Sequence, residues 1–239
     1  LKGSAVEVFI ITGASKGLGA AMVEQLLSKD RQVIGIARSP NDALAAAARA
    51  KGAWLDWYLQ DLADADATDR LATSIGASLP RDATRYVLVN NAALIEPVGA
   101  VATLAPAAVV AALHVNLAAA MLFTARFLAA TDDLGVDGAV DRCVLNISSG
   151  SGRRPMDGNG VYSATKAGLD MFTRCANAEQ ALRPAGRRAR MVSLAPGVIE
   201  TGMQVTARSR DPVLFPQTRY FRKMKDDGVL ATPEDAARR

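Results

Sequence analysis

A phenol and an amine stand four residues apart in Tyr162-Ser163-Ala164-Thr165-Lys166, thirteen residues after Ser149. On a helix, positions i and i+4 share one face, so this spacing predicts an ammonium beside the Tyr162 hydroxyl. A positive charge nearby favours the phenolate and lowers the pKa of the phenol. Moving a phenol from about 10 to about 7 takes roughly 4 kcal/mol of preferential phenolate stabilisation. The chemistry that fits is proton transfer at neutral pH. Tyr and Lys at this spacing also occur on solvated helices, so the pair gains meaning only from what surrounds it.

Holding such a pair in place requires a framework, and the hydrophobic pattern supplies one. Short apolar runs at 8–11, 33–36, 54–59, 86–89, 143–147 and 191–195 read as strands. Amphipathic or alanine-rich segments separate them, which predicts repeated βα units and a parallel sheet. Leu18, Met22 and Leu26 recur at helical spacing, as do Leu169, Phe172 and Ala176. Residues 64–79 and 105–130 also read as helices, the second carrying Asn116 near its middle. Residues 134–142 read as a connection, 150–160 as a Gly- and Arg-rich loop, and 201–228 as a long segment with short helices over the site. The fold expected is a single doubly wound α/β domain over residues 1–239, with a C-terminal tail that looks incomplete because residues 233–239 begin a helix with no strand after it.

Composition narrows the function. The chain has 239 residues, half of them hydrophobic and 22% charged, which suits one large domain. Its net charge of +4 is scattered and comes without an aromatic ladder, so no nucleic-acid partner is expected. Cys143 and Cys175 lie far apart and suggest neither a disulfide framework nor a zinc site, which points to a reducing cytoplasm. No signal-peptide pattern leads from Leu1 to Glu7, and no apolar run approaches a membrane span. His114 is the single histidine and lies in an alanine-rich stretch, where a packed or capping role is expected. Metal hydrolysis and Ser-His-Asp chemistry therefore lose support.

Directly after the first strand comes Thr12-Gly13-Ala14-Ser15-Lys16-Gly17-Leu18-Gly19. Glycines at a strand-to-helix junction let backbone amides approach a pyrophosphate, and the helix N-terminus favours the anion. The junction predicts dinucleotide binding. After the second strand the chain reads Ala37-Arg38-Ser39, with no carboxylate to repel a 2′-phosphate. Arg38 can grip that group, with Lys16 adding a second charge, so NADP(H) is expected over NAD(H).

The Gly-x-x-x-Gly-x-Gly spacing, taken with Ser149, Tyr162 and Lys166, resembles the short-chain dehydrogenase/reductase family. Asn90-Asn91-Ala92-Ala93, Asn116, Asn146-Ile147-Ser148-Ser149, and Pro196-Gly197 leading through Val198 to Thr201 match the family in order. Ala93 departs from it, since glycine is usual there. The resemblance implies that Asp61 and Leu62 lie along the adenine, that Thr201 holds the nicotinamide carboxamide, and that Asn116 holds a water linking Lys166 to solvent. Hydride transfer to a carbonyl needs donors and a proton where charge develops on oxygen. Tyr162 would give the proton, Ser149 would hold the same oxygen, and Lys166 would bind the ribose. Ser148 is read as a bland neighbour.

The stretch 195–204, with Arg219 to Leu230 and Thr232-Pro233-Glu234, resembles the sepiapterin and benzil reductase branch, which implies a small-molecule ketone or diketone substrate. Ile95, Pro97, Met156, Val198, Met203 and Phe215 are candidates for its pocket, with Met156 and Met203 foremost. Arg153 and Arg154 are read as a solvated loop. A homodimer or homotetramer paired through 105–130 and 162–182 is also implied by the family. Two rivals are an idle nucleotide-sensing regulator, which has no need of Ser149, Tyr162 and Lys166 together, and a sugar-nucleotide epimerase, which needs a larger C-terminal domain. Alcohol oxidation uses the same residues in reverse.

Overall fold

A computed structural model describes residues 6–134 and 140–239. Among these, strands β1 (Glu7–Thr12), β2 (Arg31–Ala37), β3 (Trp54–Leu59), β4 (Arg85–Asn90), β5 (Asp141–Ile147) and β6 (Arg190–Leu194) form one sheet in the order β3-β2-β1-β4-β5-β6. Every pairing is parallel. The order reverses direction at β1, which is the doubly wound arrangement. Each expected strand is present within two residues of its predicted ends.

Alternation along the strands divides the core in two. Val8 and Ile10 of β1 face one way, toward Ile75, Phe123, Phe127 and Ala176, whereas Ile11 faces the other way, toward Leu18, Val23 and Leu44. The first side is covered by α3 (Ala65–Ser78), the long helix that begins with α4 (Pro106–Leu113) and ends with α5 (Ala119–Thr131), and α6 (Gly160–Ala181). The second is covered by α1 (Gly17–Leu26), α2 (Asp42–Lys51) and the short α9 (Pro233–Ala237). Asn41 and Asp64 cap α2 and α3 by accepting from Leu44 N and Ala67 N, which fixes where those helices start.

Two expectations are corrected here. The 106–131 helix is interrupted by a π-helical stretch, His114–Ala118, that holds Asn116. The same helix is long and apolar enough by composition to cross a membrane, contrary to the expectation that no such run exists. In this fold it packs on α3, α6, β4 and β5, and its buried Thr124 and Thr131 have hydrogen-bond partners within the protein. His114 has a structural role of the kind expected, its Nδ1 lying 2.8 Å from the Ala63 carbonyl.

Most of the predicted 134–142 connection lies outside the described residues, and Asp141 and Arg142 belong to β5. The N-terminal reading of residues 1–5 also lies outside them. Beyond β6, α7 (Gly202–Ser209) and α8 (Thr218–Asp226) are the short helices expected over the site. They close on the 91–100 loop through Ile95, Ala207, Phe215 and Phe221, against which Met156 and Met203 pack. An Arg210–Glu96 ion pair ties the same two segments together.

Candidate active site

Nearly every predicted site residue follows the carboxyl end of a strand, the edge where open α/β sheets gather their ligands. After β1, Gly13 and Gly17 have φ of +67° and +52°, a region that side chains disfavour. Space is as restrictive as conformation. A Cβ on Gly19 would lie 2.2 Å from the Gly13 carbonyl oxygen, and one on Gly13 would lie 2.9 Å from Ala92 Cα. Asn91 locks this turn by donating from Nδ2 to the carbonyls of Thr12 at 2.9 Å and Gly13 at 3.2 Å. Thr12 Oγ1 accepts from the amides of Asn91 and Ala92, each at 3.0 Å.

From the other side, Asn41 donates to Ser15 O at 3.0 Å. Helix α1 starts at Gly17 with no side chain capping its first turn, so its leading amides face outward without an acceptor from Lys16. Lys16, Arg38 and Ser39 are exposed around this turn. Among the described residues neither cation takes part in an ion pair. Leu62 is buried, and Asp61 accepts from Ala63 N at 3.0 Å to close its own turn. Ala93 is half-buried in the run that leads from β4 to Leu94.

The β4 and β5 ends are joined by a polar ladder that the sequence did not reveal. Asn90 Nδ2 donates to Asn146 Oδ1 at 2.8 Å and to Thr124 Oγ1 at 3.1 Å, and Asn146 Nδ2 donates to Thr173 Oγ1 at 2.8 Å. All four side chains are buried. The signal was an asparagine inside each of two apolar strands, where only a partnered amide is tolerated.

Above this ladder the catalytic candidates come together. Ser149 leads out of β5 and caps a single turn, accepting from Ser151 N at 3.2 Å. Tyr162 and Lys166 lie on the inner face of α6, and Lys166 Nζ is 5.6 Å from the Tyr162 ring centre. The amine, only 2% exposed, donates to the Ile147 carbonyl at 2.7 Å. Asn116 is held by both edges of its amide: Oδ1 accepts from Leu94 N at 2.7 Å, while Nδ2 donates to Leu94 O at 2.8 Å and Thr165 Oγ1 at 3.2 Å. Its side chain thus pins the 91–100 loop to α6.

Charge here departs from the expectation. Burial pushes the Tyr162 phenol above its ordinary value, with the Ser149 hydroxyl pulling against it. Burial also pushes Lys166 down to about 8, opposed by the Asp170 carboxylate. Desolvation therefore outweighs the pairing that spacing alone suggested. In the unfolded chain Lys166 titrates near 10.5, so between about pH 8 and 10.5 that chain holds a proton the folded one has released. Stability contributed by this site rises with pH through that window. The stability difference between wild type and Lys166→Met is expected to move by about 3 kcal/mol toward the wild type between pH 7 and 10.5. Urea unfolding of both proteins at the two pH values measures it, and a pH-independent difference would mean the amine is not buried as described.

Thr201 precedes α7 and meets the glycine turn: a Cβ on Gly17 would lie 3.1 Å from its Cγ2. Gly197 takes φ of +87°, turning the chain between Pro196 and Val198. Of the pocket candidates, Ile95, Met156, Met203 and Phe215 share the lid cluster, but Phe215 is fully buried and forms lid core rather than a pocket wall. Pro97 is buried in the 91–100 loop. Val198 lies apart from the cluster, its carbonyl accepting from Ala231 N at 3.0 Å.

Residues 7–212 match the short chain dehydrogenase family. The chain belongs to that family. It is 34% identical over 230 residues to a benzil reductase ((S)-benzoin forming) of Bacillus cereus, spanning 96% of this chain and 90% of the relative. It is 32% identical over 237 residues to mouse sepiapterin reductase, spanning 93% and 85%. A metagenomic short-chain oxidoreductase solved in complex with NADP superimposes with a TM-score of 0.69 at 31% identity, covering 82% of this chain and 83% of that one. This member of the benzil and sepiapterin reductase-like branch is an oxidoreductase, and its family binds nicotinamide cofactors.

Proposed function

We propose that this short-chain dehydrogenase is an NADPH-dependent carbonyl reductase acting on ketones or vicinal diketones. The observation that carries the reading is the meeting of Ser149 and Tyr162 beside the buried Lys166 at the carboxyl edge of the sheet. When bound, the nicotinamide supplies the hydride. Tyr162 supplies the proton, and its raised pKa keeps the phenol protonated at neutral pH, as a donor must be. Ser149 donates to the same carbonyl oxygen and so meets the charge that develops there. Lys166 orients the ribose and stabilises the phenolate left after proton transfer, and a water held at Asn116 would link the lysine to solvent for the return of its proton.

The residues fit an NADP(H) cofactor. The glycine turn admits no side chain at Gly13 or Gly19, the first amides of α1 have no side-chain cap, and Lys16 and Arg38 stand exposed beside them. Ser15, Gly17 and Leu18 would present the amides, and Ser39 and Arg38 the 2′-phosphate site. Asp61, Leu62, Asn91, Ala92 and Ala93 would flank the adenosine, and Pro196, Gly197, Val198 and Thr201 the nicotinamide. The NADP bound to the metagenomic relative supports this choice.

Met156 and Met203 would line the substrate side, where flexible thioethers suit a bulky aromatic dicarbonyl. Val110 and Met171, each more than half exposed on helices α4 and α6, support pairing into a homodimer or homotetramer. The thiols of Cys143 and Cys175 are unbridged, which suits a cytoplasmic setting. NADPH consumption against benzil, sepiapterin, aromatic ketones and quinones tests the reading. Turnover of a dicarbonyl is expected, and no turnover of any would overturn it in favour of a nucleotide-sensing role.

A further inference from the structure

Asp170 lies four residues after Lys166 and eight after Tyr162, on the same face of α6. It is an acid with partners from two other places in the chain. Its carboxylate accepts from Ser193 Oγ on β6 and from Arg153 Nε, at 3.1 Å, just beyond the Ser149 turn. The buried Ser148 hydroxyl makes no hydrogen bond of standard geometry to any group, but it lies near the same carboxylate and, against the burial that disfavours the charge, helps keep it ionised. The side chain of Asp170 is only 18% exposed. Ser148 is also held by its amide, which donates to Leu194 O at 2.8 Å, and the carbonyl before it accepts the Lys166 amine.

We propose that Asp170 is a positioning residue: by gripping Ser193 and Arg153 at once, it clamps the segment that follows Ser149 onto the helix face bearing Tyr162 and Lys166. This role rests on the carbonyl reductase reading of the site. Asp170 is also the carboxylate that favours the charged form of Lys166 against its burial. The charged group facing Asp170 from the loop is Arg153, and from its own helix Lys166; β6 presents the uncharged Ser193 and the end of β5 the uncharged Ser148. Removing the carboxylate withdraws support for the ammonium, so Lys166 should lose its proton at lower pH.

The test uses Asp170→Asn, with Asp170→Glu as the rescue and Ser193→Ala as a milder variant should Asp170→Asn fold poorly. In protein labelled with 13C-lysine, the Lys166 resonance, assigned by its loss in Lys166→Met, is expected to titrate about one pH unit lower in Asp170→Asn. The basic limb of kcat/KM should move the same way, and Asp170→Glu should restore both. Ser193→Ala should give a smaller shift in the same direction. A folded Asp170→Asn with an unmoved Lys166 midpoint overturns the proposal, as does a uniform loss of rate with an unmoved limb. The lysine titration needs no substrate. Failure of the reductase reading would therefore show as a wild type without turnover, while the midpoint shift still reports on the clamp.

Discussion

Tyr162→Phe is expected to lower the reduction of ketones and vicinal diketones by about a thousandfold, while NADPH still binds. The substitution keeps the ring, which is 9% exposed on the inner face of α6, and removes only the hydroxyl that faces Ser149. Packing and the 5.6 Å approach of Lys166 to the ring survive the change, so the loss would be chemical rather than structural. Because burial already holds the phenol above its ordinary value, the wild-type residue carries its proton throughout the neutral range. Single-turnover NADPH oxidation and a fluorescence titration of NADPH separate the two effects. Full activity in the variant would remove Tyr162 from the chemistry.

The second large effect concerns cofactor choice. Replacing Arg38 with Asp and Lys16 with Ala is expected to raise the NADPH KM at least about a hundredfold, with the NADH KM little changed. Hydrogen bonds to a charged group contribute about 1.5–3 kcal/mol each, and the new carboxylate repels a 2′-phosphate besides. Both side chains are exposed and form no ion pair among the described residues, so the variant should remain folded and retain its kcat. Steady-state kinetics with the two cofactors decides the matter: an unchanged NADPH KM would mean that the phosphate is gripped elsewhere.

How far the chain could be read by eye varied with how local the cause was. Strand positions depend on short apolar runs, and all six were legible. The order β3-β2-β1-β4-β5-β6 was not, because it arises from the handedness of crossovers that no single segment encodes. Tyr162 and Lys166 could be paired from spacing alone, yet the direction of their pKa shifts could not. That direction comes from burial, which the tertiary fold imposes and no spacing encodes. Phe215 illustrates the same limit, since a phenylalanine in a loop looks equally like pocket wall and lid core until its 0% exposure is known. Asp170 was visible as one more acid on α6, but its partners come from β6 and the loop between β5 and α6. The buried Asn90–Asn146–Thr173 ladder escaped for a similar reason, because each member alone reads as an ordinary polar residue.

Residues before and after His114–Ala118 obey different angular phases. A regular α-helix turns about 100° per residue, so the wider turn here, in which Ala119 N bonds to His114 O, offsets everything downstream by an angle of that order. Asn116 can thereby meet Leu94 and Thr165 while Phe123, Thr124 and Phe127 still face the sheet. Shortening the helix by one residue would straighten it and set the amide against the core, since a single uniform phase cannot serve both. The reach of Asn116 is thus determined by the length of the helix as much as by the identity of the residue, and a one-residue deletion there would do what no conservative substitution could.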